Sequence, residues 1–184
     1  STGASNTAVG KDALRANTTG SYNTAVGYNA LDANTTASGN TAVGHTALTA
    51  ITDGGNNTGL GYRAGLALNE GDYNVAVGAF CLQTANSSTA NGNTCVGYDA
   101  GGDITTGASN IAMGQGAVSK VTTGGSNVGI GGYSGDTTTT GSFNITIGGS
   151  ADTSASGSAN QIVMGASVTG NANDSLCFGN GSTD

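Results

Sequence analysis

The side chain best suited to acid–base chemistry in this 184-residue chain is His45, its only histidine. An imidazole can serve as the base of a Ser-His-Asp triad, which needs a nucleophile and a carboxylate at fixed places around it. His45 instead occupies a position where other repeats of the chain carry Lys11, Tyr28 or Tyr62. A catalytic base would not stand at a freely varying position without a fixed partner. The sequence therefore predicts no catalytic residue and no enzyme.

The carboxylates and thiols predict no metal or cofactor site. The acidic residues do not recur as paired arrays, and the Asp-bearing nonapeptides of calcium-binding β-rolls are absent. Three cysteines cannot make a disulfide framework. Cys95 and Cys177 stand where other repeats have small residues, and Cys81 stands in an alanine position. We interpret all three as small buried hydrophobic residues.

The composition excludes several classes of partner. The net charge is −7, with only 4 Lys plus Arg residues, so there is no basic cluster for nucleic acid or for an anionic membrane surface. The apolar runs are a few residues long, which predicts no membrane insertion. With 34 Gly and 8% charged residues, the chain cannot build a thick core. It needs an extended form with a thin core, or partner chains that supply more buried surface.

The apolar residues recur because the chain is one repeat array. Aligned on the glycine that closes the motif NTAVG, eleven copies follow one another in steps of 17 residues, except for one step of 19 and a final step of 14. We expect a single array over 1–184, with regular coils in 1–148 and less regular terminal coils in 149–184. The chain starts without Met and in mid-repeat phase, so we interpret it as a fragment of a longer fibre. The repeat glycines are Gly10, Gly27, Gly44, Gly61, Gly78, Gly97, Gly114, Gly131, Gly148, Gly165 and Gly179.

The columns of the repeat predict local structure. The residue before the glycine is large and apolar, the residue three before it is Thr, Val, Ile or Leu, and a small residue usually stands between them. This period of two predicts a strand. Asn precedes the glycine by four positions in the first nine copies, which predicts side chains that hydrogen-bond along the stack. The glycine is expected at positive φ. The following Ala-Leu segment predicts a second short strand, and a loop with Thr pairs completes the repeat.

Such a unit can bury its apolar face only by stacking. Successive coils would pair as parallel strands ~4.8 Å apart, and the repeat has no six-residue sub-period that would indicate a three-sided helix. The sequence therefore predicts an all-β fold: a parallel β-solenoid, or two-sheeted β-roll, of about eleven 17-residue coils. Length changes are expected in loops rather than strands.

Three segments carry a resemblance to known families. NTAVGYNAL (23–31), NTAVGHTAL (40–48) and SNVGIGGYS (126–134) resemble the Asn-Ser-Val-Ala-Ile-Gly repeats in the heads of trimeric autotransporter adhesins. They are still more similar to NTAVGYxAL strings in phage tail-fibre and tail-spike-like proteins. The resemblance covers the whole chain and implies a homotrimer of left-handed β-rolls about a common axis. It also implies that the large column fills each roll, while the small column allows close packing at the axis.

The resemblance implies a structural and adhesive function. The expected function is a tail-fibre or appendage shaft of a virion that contributes to host attachment; the alternative is the head of a bacterial cell-surface adhesin. A remote alternative is an ice-binding solenoid, because Thr pairs stack in register, but that array is broken at 69–70, 88–89 and 156–157. The partners would be two further copies of the chain and a host surface glycan or receptor. Stacked rings could grip sugars, or could merely cover the turn; the candidate ladder is Tyr28, His45, Tyr62 and Tyr98.

Overall fold

A computed structural model describes residues 2–179, which form a parallel β-solenoid of about ten turns with no helix in that range. Each repeat contributes one three-residue strand, and the eleven strands pair in chain order. The predicted all-β solenoid with a coil of about 17 residues is confirmed. The strands are β1 (Thr7–Val9), β2 (Thr24–Val26), β3 (Thr41–Val43), β4 (Thr58–Leu60), β5 (Val75–Val77), β6 (Thr94–Val96), β7 (Ile111–Met113), β8 (Val128–Ile130), β9 (Ile145–Ile147), β10 (Ile162–Met164) and β11 (Leu176–Phe178).

Equivalent residues of successive repeats lie beside one another in the sheet. Ala25 pairs with Ala42 between β2 and β3, in the register that the repeat alignment predicts. The register persists across the 19-residue step, where Val75 pairs with Thr94. Length changes are therefore absorbed outside the strands, as predicted, because a strand that slipped by one residue would turn its buried side chain to the opposite face.

The assignment of the strand faces was wrong. The middle residue of each strand points into the coil, and Ala42 is fully buried, whereas Leu60 and Met113 are 46% and 44% exposed. The small column therefore lines the interior, and the large column lies outside. At Gly59 the interior has no room for a side chain, since an added Cβ would lie 2.7 Å from Cγ of Leu48, whereas later coils accommodate the buried Thr146 and Val163 in this column.

Two other columns supply the bulk of the core. They lie four and seven residues after the repeat glycine. In some coils a small residue in one of these columns is accompanied by a large residue in the other. Gly65 is followed by the buried Leu68, and Gly101 by the buried Ile104. In three further coils a Leu at the fourth position is followed by a smaller residue at the seventh, whereas Leu48 is followed by the equally buried Ile51. The interior that these columns fill is thin and closely packed.

The predicted second strand does not form. After the repeat glycine, the second and fourth residues have left-handed backbones, with φ of 52° at Asn29 and 50° at Leu31. Strand geometry needs negative φ at every residue, so this alternation curves the chain instead. The backbone still bonds between coils, since the Leu31 N–H donates to the Ala47 carbonyl at 3.1 Å.

The asparagine column forms the predicted hydrogen-bonded stack. The N–H of Asn57 donates to Oδ1 of Asn40 at 2.8 Å, and Nδ2 of Asn57 donates to the Gly71 carbonyl at 2.8 Å. Oδ1 of Asn57 in turn accepts the N–H of Asn74 at 2.8 Å. The Asn57 side chain therefore satisfies two buried backbone groups of the following coil, and this keeps the two coils in register.

Asn57→Ala should lower the free energy of unfolding by about 2 kcal/mol or more. The change leaves the Asn74 N–H and the Gly71 carbonyl without these partners, and a buried unsatisfied group costs about 1–3 kcal/mol. Urea denaturation measures the loss. Asn86→Ala in the exposed long loop is the control and should be nearly neutral; equal losses in the two variants would contradict a structural role for the stack.

Candidate functional site

The structure brings the predicted surface ring residues into one continuous stack. The ring centroids of Tyr28 and His45 are 5.0 Å apart, and those of His45 and Tyr62 are 5.4 Å apart. Tyr98 does not meet Tyr62 directly but joins through Phe80, whose centroid lies 5.2 Å from Tyr62 and 5.7 Å from Tyr98. We call these five residues the aromatic ladder.

Phe80 is the member that sequence reasoning missed. Its coil carries Ala79 at the first position after the repeat glycine, where the other rings stand, and Phe80 at the second. The same displacement occurs at Gly132 and Tyr133, so the recurring small-then-aromatic pair was the available signal. Tyr133 lies beyond the ladder, further along the same side of the repeat corner. Its Oη accepts a hydrogen bond from Nε2 of Gln115, which stands at the ring position of its own coil, at 2.8 Å.

The corner after each strand positions the ladder. The repeat glycines have φ between 127° and 141° from Gly10 to Gly165, as predicted. Without a Cβ they stack closely, and the Gly44 N–H donates to the Val26 carbonyl at 2.8 Å. The residue that follows the glycine is therefore held at the coil spacing, which brings the next ring within stacking distance.

The rings of the ladder are partly exposed and inclined to one another. Tyr28, His45 and Tyr62 have interplanar angles of 30° and 39° at centroid distances near 5 Å, so these pairs are tilted. Phe80 meets its two neighbours edge to face, at 80° and 73°. Tyr98 is the most exposed of the three ladder tyrosines, at 55%. The ladder is therefore an uneven row of rings rather than one flat surface, and a ligand would lie along this row.

Two cations lie against the ladder. The Lys11 ammonium is 5.5 Å from the Tyr28 ring centroid. The guanidinium carbon of Arg63 is 5.9 Å from the centroid of Tyr62 and 5.8 Å from that of Phe80. At these distances a cation is attracted by the ring quadrupole, so the aromatic ladder combines aromatic surface with positive charge.

Among residues 2–179, no carboxylate is hydrogen-bonded to the His45 imidazole. Its Nδ1 lies 3.3 Å from Thr46 Oγ1, and that hydroxyl donates its hydrogen to the His45 carbonyl at 2.7 Å. In the described part of the chain, no group of three or more His, Cys, Asp or Glu residues is placed to hold a metal ion. The exposed imidazole acts here as one ring of the stack.

One titratable group with a shifted pKa lies next to the ladder: burial, followed by the charge of Asp103, raises the pKa of Asp99, which directly follows Tyr98. Burial also raises the pKa of Asp152. A hydrogen bond with Cys81 and complete burial raise the pKa of the Cys95 thiol well above its ordinary value. The Cys81 thiol donates to the Cys95 carbonyl at 3.0 Å, and both cysteines and Cys177 are free and buried. The interpretation of the cysteines as small buried residues is confirmed.

The threonine columns stack in register, but their hydroxyls are engaged within the fold. Oγ1 of Thr18 donates to the Thr35 carbonyl at 2.9 Å, and Oγ1 of Thr105 donates to the Thr122 carbonyl at 3.1 Å. A hydroxyl whose hydrogen is donated to the next coil cannot donate it to water at a flat face. This geometry weighs against the ice-binding alternative.

Comparison of the chain with protein families, with curated proteins and with solved structures found no match. Between residues 2 and 179, the structure has no helix that is long and apolar enough to cross a membrane. The function is therefore inferred from the solenoid and its surfaces.

Proposed function

We propose that this chain is a structural and adhesive fibre segment of a viral tail fibre or appendage, in which three copies assemble as left-handed β-solenoids and contribute to host attachment. The supporting observation is a continuous apolar face of the sheet that the chain itself leaves uncovered. The head of a bacterial surface adhesin is the alternative, because the same fold and the same face would serve it.

The uncovered face consists of the first and third residues of every strand, and we call it the outer sheet face. None of its residues is charged. It carries Thr beside Val or Leu in the first four strands and becomes wholly apolar from β7 onward, where Met113 and Ile130 are 44% and 39% exposed. Apolar patches larger than a few hundred Å² usually mark an interface.

A second copy of the chain is the occupant that fits this face. The face repeats with every coil, so a parallel identical partner matches it along the full length, and the coils from β7 onward contribute the most apolar surface. Obligate interfaces between identical subunits are apolar and form closed symmetric assemblies. Three as the number of copies comes from the resemblance to trimeric adhesins and tail fibres. The large column, rather than the small one, then lies at the axis.

Light scattering on the soluble chain tests the assembly. We expect a mass of three chains of 17.5 kDa each. Because the end coils are uncapped, as the exposed β1 shows, a removable trimerising tag can support folding before the measurement. A folded monomer that persists at micromolar concentration after tag removal would rule out this function.

We further propose that the aromatic ladder contacts a glycan on the host surface. Tyr28→Ala combined with Tyr62→Ala should abolish binding to host cells or to their isolated polysaccharide. The melting temperature should change little, because a ring pair contributes about 0.5–1.5 kcal/mol beyond its buried area.

The control is Tyr22→Ala combined with Tyr73→Ala, which removes two tyrosines that lie outside the ladder and are 71% and 67% exposed. This control should keep binding. If the ladder variant binds like the parent, the rings only cover the turn, and recognition lies elsewhere.

A further inference from the structure

The basic side chains of this acidic chain are not distributed evenly. Of its 4 Lys and Arg residues, two pair with carboxylates away from the ladder: Arg15 with Asp32 at 2.8 Å, and Lys120 with Asp136 at 3.4 Å. The other two lie on the aromatic ladder, together with the only histidine. The ladder is therefore the one surface where positive charge and aromatic rings coincide.

Arg63 and Lys11, the two cations on the ladder, differ in their carboxylate neighbours. Lys11 has the carboxylate of Asp12 at 3.8 Å, whereas Arg63 has no carboxylate within salt-bridge distance among residues 2–179. Its guanidinium lies beside the rings of Tyr62 and Phe80 and carries five N–H donors in a fixed fork. In the range 2–179 these donors form no hydrogen bond to protein.

The backbone fixes Arg63 at this place. Its φ is 57°, and its N–H donates to the His45 carbonyl at 3.0 Å, which ties it to the preceding coil. The residue is half-buried. The two nearby rings and the partial burial reduce the water around the guanidinium, and charge-assisted hydrogen bonds are stronger where less water surrounds them.

We propose that the aromatic ladder recognises an anionic saccharide, with Arg63 binding its carboxylate or phosphate group while the flanking rings contact the sugar. This inference rests on the proposed glycan-binding function of the ladder. A planar guanidinium matches both anions through paired hydrogen bonds. The net charge of −7 repels a polyanion from the rod as a whole, so such a ligand would be held where an unpaired cation is exposed.

Binding of three polymers to the assembled protein tests the proposal. The probes are polygalacturonate oligosaccharides, the same oligosaccharides with their carboxylates methyl-esterified, and a phosphomannan. We expect the parent to bind at least one anionic probe about tenfold or more tightly than the ester, since charged hydrogen bonds are lost on esterification. Preference for phosphomannan over polygalacturonate identifies the anion as a phosphate, and the reverse identifies a carboxylate.

Arg63→Gln should remove this preference, and Lys120→Gln, which makes the same change of charge off the ladder, should keep it. Arg63→Lys keeps the charge without the fork and should retain only part of the preference, which provides a second variant if the first assembles poorly. Equal binding of charged and esterified probes by the parent overturns the anionic ligand but leaves glycan binding standing. Binding to no anionic probe also overturns it, while the cell-binding experiment tests the proposed function separately.

Discussion

Val43→Asp is expected to convert the assembled protein into folded single chains, whereas Ala42→Asp is expected to prevent folding. Val43 lies on the outer sheet face, where a carboxylate in a single chain reaches water. In the proposed assembly, the change would bring three carboxylates together in an apolar interface. Ala42 is fully buried inside the coil. An unpaired charge there costs several kcal/mol, a large part of the 5–15 kcal/mol that typically stabilises a domain.

Circular dichroism and light scattering distinguish the two outcomes. Val43→Asp should keep the β-sheet spectrum and lose two thirds of the mass, and Ala42→Asp should lose the spectrum. Val43→Thr is the control, because Thr already occurs on this face in β3, and it should remain assembled. If Val43→Asp stays trimeric, the outer sheet face is not the interface. If Ala42→Asp melts like the parent, the face assignment fails.

Gly44→Ala is expected to destabilise the protein by more than about 2 kcal/mol. Gly44 has φ of 141°, a region that residues with a Cβ rarely adopt. An added Cβ would also lie 2.7 Å from the carbonyl carbon of Gly61. Gly61 cannot move away, since it is stacked in the same manner on Gly78. Both the strain and the clash therefore remain in the folded state.

Gly132→Ala is the matched control for this prediction. The nearest atom to a Cβ at Gly132 would be the Gln115 carbonyl oxygen at 3.9 Å, which is an ordinary contact, and its φ is not in the left-handed region. The change should be neutral, or stabilising by up to about 1 kcal/mol, because Ala restricts the unfolded chain. Urea midpoints measure both variants, and equal midpoints would refute the close stacking of the glycine column.

The features that could be predicted from the sequence are those carried by identical residues in successive repeats. A column of asparagines such as Asn40 and Asn57 has a single way to stack, and a glycine such as Gly44 after every strand indicates positive φ. Loops absorb the odd steps because only loops tolerate them. These features depend on local geometry and on the repeat itself, so no knowledge of the rest of the coil was needed.

The features that were missed depend on what lies across the coil. Large residues usually face a core, yet the interior here is already filled by side chains such as Leu48 and Leu68, which leaves space only for Ala42 and its equivalents. The second strand is absent because residues such as Leu31 and Thr46 have left-handed backbones. Leu and Thr rarely adopt positive φ, so their presence in the sequence does not predict it. Phe80 and Arg63 were missed because each lies one column beyond the expected ring position.

The fixed length of the coil has a consequence for how such a chain changes through evolution. Buried side chains fill space in their own coil and in the adjacent one, since a Cβ on Gly65 would meet Leu48 of the preceding coil. Recombination between similar gene repeats that adds or deletes one whole repeat keeps every strand, asparagine and repeat glycine in its column. A gain or loss of part of a repeat would instead shift these columns out of register. Selection on rod length thus acts through copy number, and the coil is the unit that is inherited.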